Sequence, residues 1–249
     1  MSVTLAAVAV APGLAVGSFL NVVASRVPLR RSVATGRSAC MSCGTPIAAW
    51  DNVPLVSYAV LRGRCRHCGA HIPARYPLVE LLTALLVVAC VLRFGATAEA
   101  LIAAAFCAVL VAIAAIDAEH RIVPDRIVLP AAAAFVAARL LLEPSLQWPL
   151  AAVAASGALL VVALAYPAGL GMGDVKLALL LGAALGTGVA VALMVGLLAA
   201  LIPAVILIAI KGQKAARKTA IPFAPFLAFG AVVALFVGET LMNAYLSLG

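Results

Sequence analysis

Apolar positions in this chain come in long solid blocks rather than at alternate positions or on one helical face. Such blocks occupy about 3–24, 77–94, 98–117, 126–142, 148–168, 174–187, 188–210 and 222–247. Most are close to the roughly 20 residues a helix needs to cross about 30 Å of hydrocarbon. Solid apolarity, without the alternation of a membrane barrel strand, predicts helices. The run 177–210 is too long for one span, and Gly186-Thr187-Gly188 supplies the break. The expected fold is an all-α polytopic membrane protein of about eight transmembrane helices. Its one sizeable polar stretch, 25–76, is an insertion between helices 1 and 2. The expected division is 1–24 as the first transmembrane helix, 25–76 as a cytoplasmic domain, and 77–249 as a seven-helix membrane core.

Composition narrows the function classes. Of 249 residues, 66% are apolar and only 10% charged, against about 25% charged in a soluble domain. A soluble enzyme and a disordered chain are excluded. The net charge of +8 invites a nucleic-acid reading, but so much apolar surface could not be hidden from water, and no nucleic-acid partner is expected. The basic residues instead report orientation. Eight arginines lie in 25–76, two in 118–126, Lys176 follows the 166–176 turn, and Lys211, Lys214, Arg217 and Lys218 lie in 211–221, together 15 of 17 basic residues. With eight spans all four regions fall on one side, the cytoplasm, and both termini fall outside. The first apolar block has no basic residues before it and is followed by Arg26, so it is expected to be a retained anchor rather than a cleaved signal.

The insertion carries Cys40-Met-Ser-Cys43-Gly44 and Cys65-Arg-His-Cys68-Gly69, with 21 residues between Cys43 and Cys65. Two such knuckles at this separation fit a four-cysteine zinc ribbon with Cys40, Cys43, Cys65 and Cys68 as ligands. Two disulfides are the alternative, disfavoured in a reducing cytoplasm. About 50 residues build little core, so a metal would supply missing stability. His67 and His71 are substitute ligands the four thiolates do not need. Cys90 and Cys107 are read as small apolar packing residues.

Nine acids remain to be explained, and an acid at a membrane boundary needs a reason. Asp117 ends the third block, where the negative end of a helix disfavours it by a few tenths of a kcal/mol, up to about 1. It either marks the exit from the bilayer or does chemistry. Asp174 follows Gly169-Leu-Gly171-Met-Gly173. It is either a helix N-cap or the head of a site whose alternating glycines leave room for another backbone. Asp125, after Pro124, is taken as a cap. Asp117 and Asp174 are both expected at cytoplasmic helix ends, one span entering and the other leaving. Two carboxylates at one depth could share a proton, giving an acid and a base that activate water for peptide hydrolysis.

These residues resemble the bacterial type IV prepilin peptidases, membrane aspartic proteases of the GxGD type. The resemblance runs through Gly17-Ser-Phe-Leu-Asn21 to Arg26-Val-Pro28, both knuckles, Arg75-Tyr-Pro-Leu-Val-Glu80, Asp117 to Asp125, Gly171-Met-Gly173-Asp174 and Ile221-Pro-Phe-Ala-Pro-Phe226. It implies Asp117 and Asp174 as the catalytic dyad and a bacterial inner-membrane location. It implies prepilin and pseudopilin substrates of pilus or secretion systems, cut at the cytoplasmic face. It also implies methylation of the new N-terminus with S-adenosylmethionine, associated with the zinc-bearing insertion. Gly171 and Gly173 would form the active-site loop. Position 224 is Ala where Gly is common, and it is not counted as touching the dyad.

Other polar residues have looser assignments. Arg26 is expected at the membrane interface, and Glu80 either pairs with a base such as Arg75 or helps receive the substrate N-terminus. Lys176 either steadies the dyad or faces headgroups, and Glu119 and Asp125 are candidates for meeting a basic leader. Glu239 is expected far from the chemistry. Pro222 and Pro225 bend the entry to the last span, and the basic loops meet anionic lipid. Two other classes compete: a non-enzymatic assembly factor docking through its zinc ribbon, and a transporter. The second is disfavoured because its acids should lie at mid-bilayer between repeats.

Overall fold

The computed structural model describes residues 2–167, 169–212 and 221–246. Lys214, Arg217 and Lys218 of the expected basic loop lie outside the described residues, as does the side chain of Glu239. Eight longer helices follow the apolar blocks: α1 (Ser2–Arg26), α3 (Arg75–Phe94), α4 (Ala98–His120), α5 (Asp125–Leu142), α6 (Gln147–Ala165), α7 (Met172–Leu185), α8 (Val189–Lys211) and α9 (Ala224–Leu246). A short α2 (Val56–Val60) and a 3-10 turn at Ala49–Asn52 lie in the insertion. The expected break between α7 and α8 is a 3-10 turn at Gly186–Gly188, with Gly186 at φ 55°.

The span count needs correction. Among the described residues five stretches have the length and apolarity to cross a membrane: Thr4–Arg26, Arg75–Phe94, Ala98–His120, Gln147–Ala165 and the 40-residue run Met172–Lys211. The expectation was about eight. Helix α5 carries Asp125, Arg126 and Arg139 in 18 residues. At 14 residues, α7 is only about 21 Å long at 1.5 Å per residue. The helices nonetheless turn large apolar side chains outward, among them Leu85, Leu141, Leu150, Val161, Leu201 and Ile210. Lipid is the solvent such faces require, and the chain is a multi-pass membrane protein.

The chain divides into two compact units, Met1–Ala115 and Ile116–Gly249. In the first, α1 lies along α3. A Cβ at Gly13 would sit 2.8 Å from the Ala84 Cα, and one at Gly17 would sit 2.6 Å from the Glu80 Cα. These two glycines, four apart on one helix face, set how closely the pair can approach, as small residues do where lipid offers no hydrophobic drive. Leu20, Val79, Val111 and Ala112 form a buried cluster beside them.

In the second unit α7 is packed by both α5 and α6, and α8 pairs with α9. Leu177, Ala178, Leu180, Leu181, Ala183 and Ala184 are all fully buried, which is why α7 is apolar on every side. Its far end is held by a buried arginine. Arg139 donates through Nε to the Ala184 carbonyl at 3.0 Å and stacks over the Trp148 ring at 4.7 Å. A cation at a helix C-terminus meets the negative end of the macrodipole.

Candidate functional site

The four cysteines of the insertion meet. Their sulfurs all lie within 4.8 Å of one another, with Cys40 Sγ and Cys68 Sγ 3.8 Å apart. Each knuckle is the same device. Cys40 N–H donates to Thr45 O and Gly44 N–H to Cys40 O, while Cys65 N–H donates to Ala70 O and Gly69 N–H to Cys65 O. Gly44 and Gly69 both have φ 70°, a left-handed turn that glycine takes without a Cβ penalty. His67 and His71 are outside the cluster. The Cys43 amide lowers the Cys40 thiol below its usual range, the Thr45 hydroxyl lowers Cys43, and the Cys68 amide lowers Cys65. The Ala70 amide also lowers Cys68, but desolvation and the three crowding thiols carry it up to about 11. Crowded thiols of this kind form a site that could hold a metal ion.

Charges brace the insertion. Arg66, inside the second knuckle, donates to both Asp51 oxygens at 2.8 and 2.6 Å. Arg26, at the end of α1, donates to the carbonyls of Ser32, Thr35, Gly36 and Arg37 and so shapes that loop. Glu80 is 9% exposed, and its Oε2 accepts the Leu55 N–H at 2.9 Å. Leu55 sits at φ 59°, a strained backbone for a leucine. Cys90 and Cys107 are buried with sulfurs 3.9 Å apart, in keeping with packing.

The second unit contains a cleft of about 390 Å³ lined by Asp117, Arg121, Val123, Gly171, Gly173 and Asp174, among others. Asp117 and Asp174, 57 positions apart in sequence, thus face one space. Glu80 belongs to the first unit. Neither aspartate is a helix N-cap. The cap of α7 is Gly171, so Asp174 is the third helical residue, and its carboxylate turns back toward the Gly171 amide. The cap of α5 is Pro124. Asp125, expected to be a cap, instead binds Lys176 Nζ through both oxygens at 2.7 and 2.8 Å.

Asp117 lies in the last turn of α4 and is 6% exposed. Its Oδ2 accepts the Ala224 N–H at 3.0 Å, with the Phe223 amide also directed at it. The unfavourable end of its own helix is therefore offset by the positive end of α9. This overturns the expectation that position 224 does not touch the dyad. The contact runs through the backbone, which any residue but proline supplies. A signal for it lay in Pro222 and Pro225, which have no N–H of their own and leave 223 and 224 as the free donors at the start of α9. Past α4, Arg121 adopts φ 54° and turns the chain into the cleft wall.

The alternating glycines have three separate reasons. A Cβ at Gly169 would collide with the Tyr166 ring, and one at Gly173 would lie 2.9 Å from Val123 Cβ. A Cβ at Gly171 would meet only Asp174 Oδ2, at 3.5 Å, and the Gly173 amide. Only Gly171 leaves open space beside a carboxylate.

Two family models match the chain. The bacterial peptidase A24 N-terminal domain covers 12–94, and the type IV leader peptidase family covers 104–210. A Burkholderia pseudomallei protein named prepilin leader peptidase/N-methyltransferase is 36% identical over 98% of this chain and 88% of its own length. A Bacillus subtilis protein of the same name is 31% identical over 95% of this chain and 96% of its own. A Myxococcus xanthus protein of that name is 50% identical across half of this chain and 37% of its own. No solved structure matches.

Proposed function

Since the chain belongs to the type IV leader peptidase family, we propose that it is the membrane endopeptidase that removes prepilin and pseudopilin leaders, with Asp117 and Asp174 as the catalytic pair. The observation that carries this reading is the shared cleft, which both carboxylates line and in which Asp174 stands beside the bare backbone of Gly171. One carboxylate, ionised, takes a proton from water. The other, protonated, gives one to the scissile carbonyl oxygen, so the pair holds one proton between them and titrates as a unit. Water attacks the carbonyl carbon, and the tetrahedral species collapses as the amine leaves with a proton. The Ala224 and Phe223 amides fix the Asp117 carboxylate while this happens. Gly171 gives the substrate backbone room next to Asp174.

The cleft and the insertion belong on the cytoplasmic side, where the basic residues cluster, with both termini outside and the membrane being the bacterial inner membrane. The insertion binds zinc. A tetrahedron of sulfurs about 2.3 Å from a central zinc has an edge of about 3.8 Å, the spacing found between Cys40 and Cys68. Four thiolates leave no open position, so the ion would be structural. The shared name of the relatives adds a second activity, methylation of the new N-terminus, for which S-adenosylmethionine supplies the methyl group.

Leader cleavage by the purified protein in liposomes tests the reading. Asp117→Asn and Asp174→Asn should each abolish cleavage while the thermal unfolding midpoint and zinc content stay near wild type. Normal cleavage by either variant would show that the dyad is not the active site and would favour an assembly role.

A further inference from the structure

We infer that one edge of the insertion, the run 53–61, docks into the lipid interface beside α3, with the surrounding arginines over anionic headgroups. The run reads Val53-Pro-Leu-Val-Ser-Tyr-Ala-Val-Leu61 and lies in an uncharged gap between Asp51 and Arg62. Its depth follows from one bond. Leu55 N–H donates to Glu80 Oε2 at 2.9 Å, and Glu80 lies five residues into the apolar helix Arg75–Phe94. That helix has 20 residues, about 30 Å of length, no more than the hydrocarbon it must cross. None of it is spare, so Glu80 stands about 7–8 Å deeper than Arg75, with Leu78, Leu81 and Leu82 exposed around it. A glutamate side chain reaches only a few ångströms, so Leu55 is drawn to nearly the same level.

The run is also built to tolerate lipid, where a backbone group without a partner is costly. Val53 N–H donates to Ser57 Oγ at 3.1 Å. Ser57 N–H donates to Val53 O, Ala59 N–H to Leu55 O and Leu61 N–H to Ser57 O, and Pro54 has no N–H to satisfy. The two polar side chains turn back onto the insertion. Ser57 Oγ donates to Trp50 O at 2.9 Å and the Tyr58 hydroxyl to Ile72 O at 3.4 Å. What α2 leaves exposed is Val56, Ala59 and Val60, three and four apart on one face, the valines at 58% and 69%. Arg62 at φ 50° and Gly63 at φ 66° then turn the chain away.

Charge selects the occupant of this face. The insertion has eight arginines and a single acid, Asp51, and Arg66 already holds that acid. Arg62 and Arg64, both exposed, follow the run directly. An apolar face flanked by excess positive charge suits an anionic bilayer, into which such faces sink about 5–10 Å. The same excess on a second copy would repel it. The lipid that covers the outward leucines of α3 therefore continues under α2, and the insertion rests on the membrane instead of hanging in water from two tethers.

The test places the full-length protein in phosphatidylcholine vesicles with and without phosphatidylglycerol. Val60→Trp in a Trp50→Phe background puts an indole on the outward face, and Val56→Trp serves as a second position; circular dichroism and the thermal midpoint check that each is folded. Lipids carrying a nitroxide near the top of the acyl chain should quench the added emission at least twofold, and more strongly with phosphatidylglycerol, while aqueous acrylamide quenches it little. In the unmodified protein, a photoactivatable lipid should leave adducts on the peptide holding 53–61. An indole open to acrylamide and untouched by the nitroxide lipid, with no adducts, would overturn the docking. An indole shielded from both quenchers would overturn it too, because a second copy or another protein would then cover the face.

Discussion

Alanine at Gly171 and at Gly173 should fail in opposite ways. At Gly173 the new methyl would lie 2.9 Å from Val123 Cβ and 3.2 Å from its Cγ2. Overpacking of this kind costs roughly 1–3 kcal/mol, against a gain of about 1 kcal/mol for replacing glycine within a helix. The net loss is up to about 2 kcal/mol, taken up where the Val123 segment meets α7 beside Asp174. At Gly171 the backbone already has φ −78° and ψ 148°, which alanine accepts. Fold stability should hold or rise by about 0.4–1 kcal/mol through the unfolded state. Leader cleavage should nonetheless fall at least tenfold, about 1.4 kcal/mol in the barrier, because the methyl occupies the approach to Asp174. Val123→Gly removes the colliding Cβ, so Val123→Gly with Gly173→Ala should be more stable than the sum of the single changes by about 1–2 kcal/mol. Thermal unfolding in detergent and steady-state cleavage of a prepilin read both quantities. A Gly171→Ala enzyme with wild-type kcat/KM would refute the reasoning, as would a Gly173→Ala protein of wild-type stability with no coupling to Val123.

Three further outcomes are expected. Arg139→Gln should lower the thermal midpoint through loss of the charged bond to Ala184 and of the stack on Trp148, about 2–4 kcal/mol together. Chelating the proposed zinc, or Cys65→Ser, should open the insertion, measured as faster amide exchange at Leu55 and Ile72 with α6 to α8 unaffected. The Arg66 guanidinium bonded to Asp51 holds that carboxyl below its ordinary value, so its contribution is complete above the usual pKa near 3.9 and is lost as pH falls through the lowered folded value. The midpoint difference between wild type and Asp51→Asn should therefore be flat from pH 7 to about 5 and shrink below about 4; a difference that grows on acidification would reverse the sign.

What the sequence made legible follows from the range of each interaction. The helices were readable because solid apolarity and a lipid solvent constrain each one separately, and the α7–α8 break announced itself as two glycines around Thr187. The knuckles were readable because each closes on itself within a few residues. Three features were not. The status of α5 depends on whether Arg139 faces lipid or carbonyls, a tertiary fact settled by Ala184. The Asp125–Lys176 pair joins positions 51 apart, and no local pattern distinguishes it from a helix cap. The Asp117–Ala224 bond joins positions 107 apart and uses a backbone amide, which leaves no trace in residue identity.

The cleft's polar groups explain one another once the helix ends are considered together. Helices α5, α7 and α9 begin at Asp125, Met172 and Ala224, and residues at or beside each start line the cleft. Three positive helix ends would repel one another and attract anions. The cleft supplies three carboxylates, Asp117, Asp125 and Asp174. Asp125 is neutralised by Lys176, which as a cation near the start of α7 would otherwise oppose the dipole. Exposed at 55% and 35% of their side chains, the two partners should contribute no more than about 1 kcal/mol. Among the described residues that division leaves Asp117 and Asp174 as the two carboxylates in the cleft without a lysine on them. Asp125→Asn would free Lys176 to reach toward Asp174. It should therefore change the pH dependence of cleavage more than it changes stability, and an unaltered pH profile would show that the pair works without regard to its neighbour.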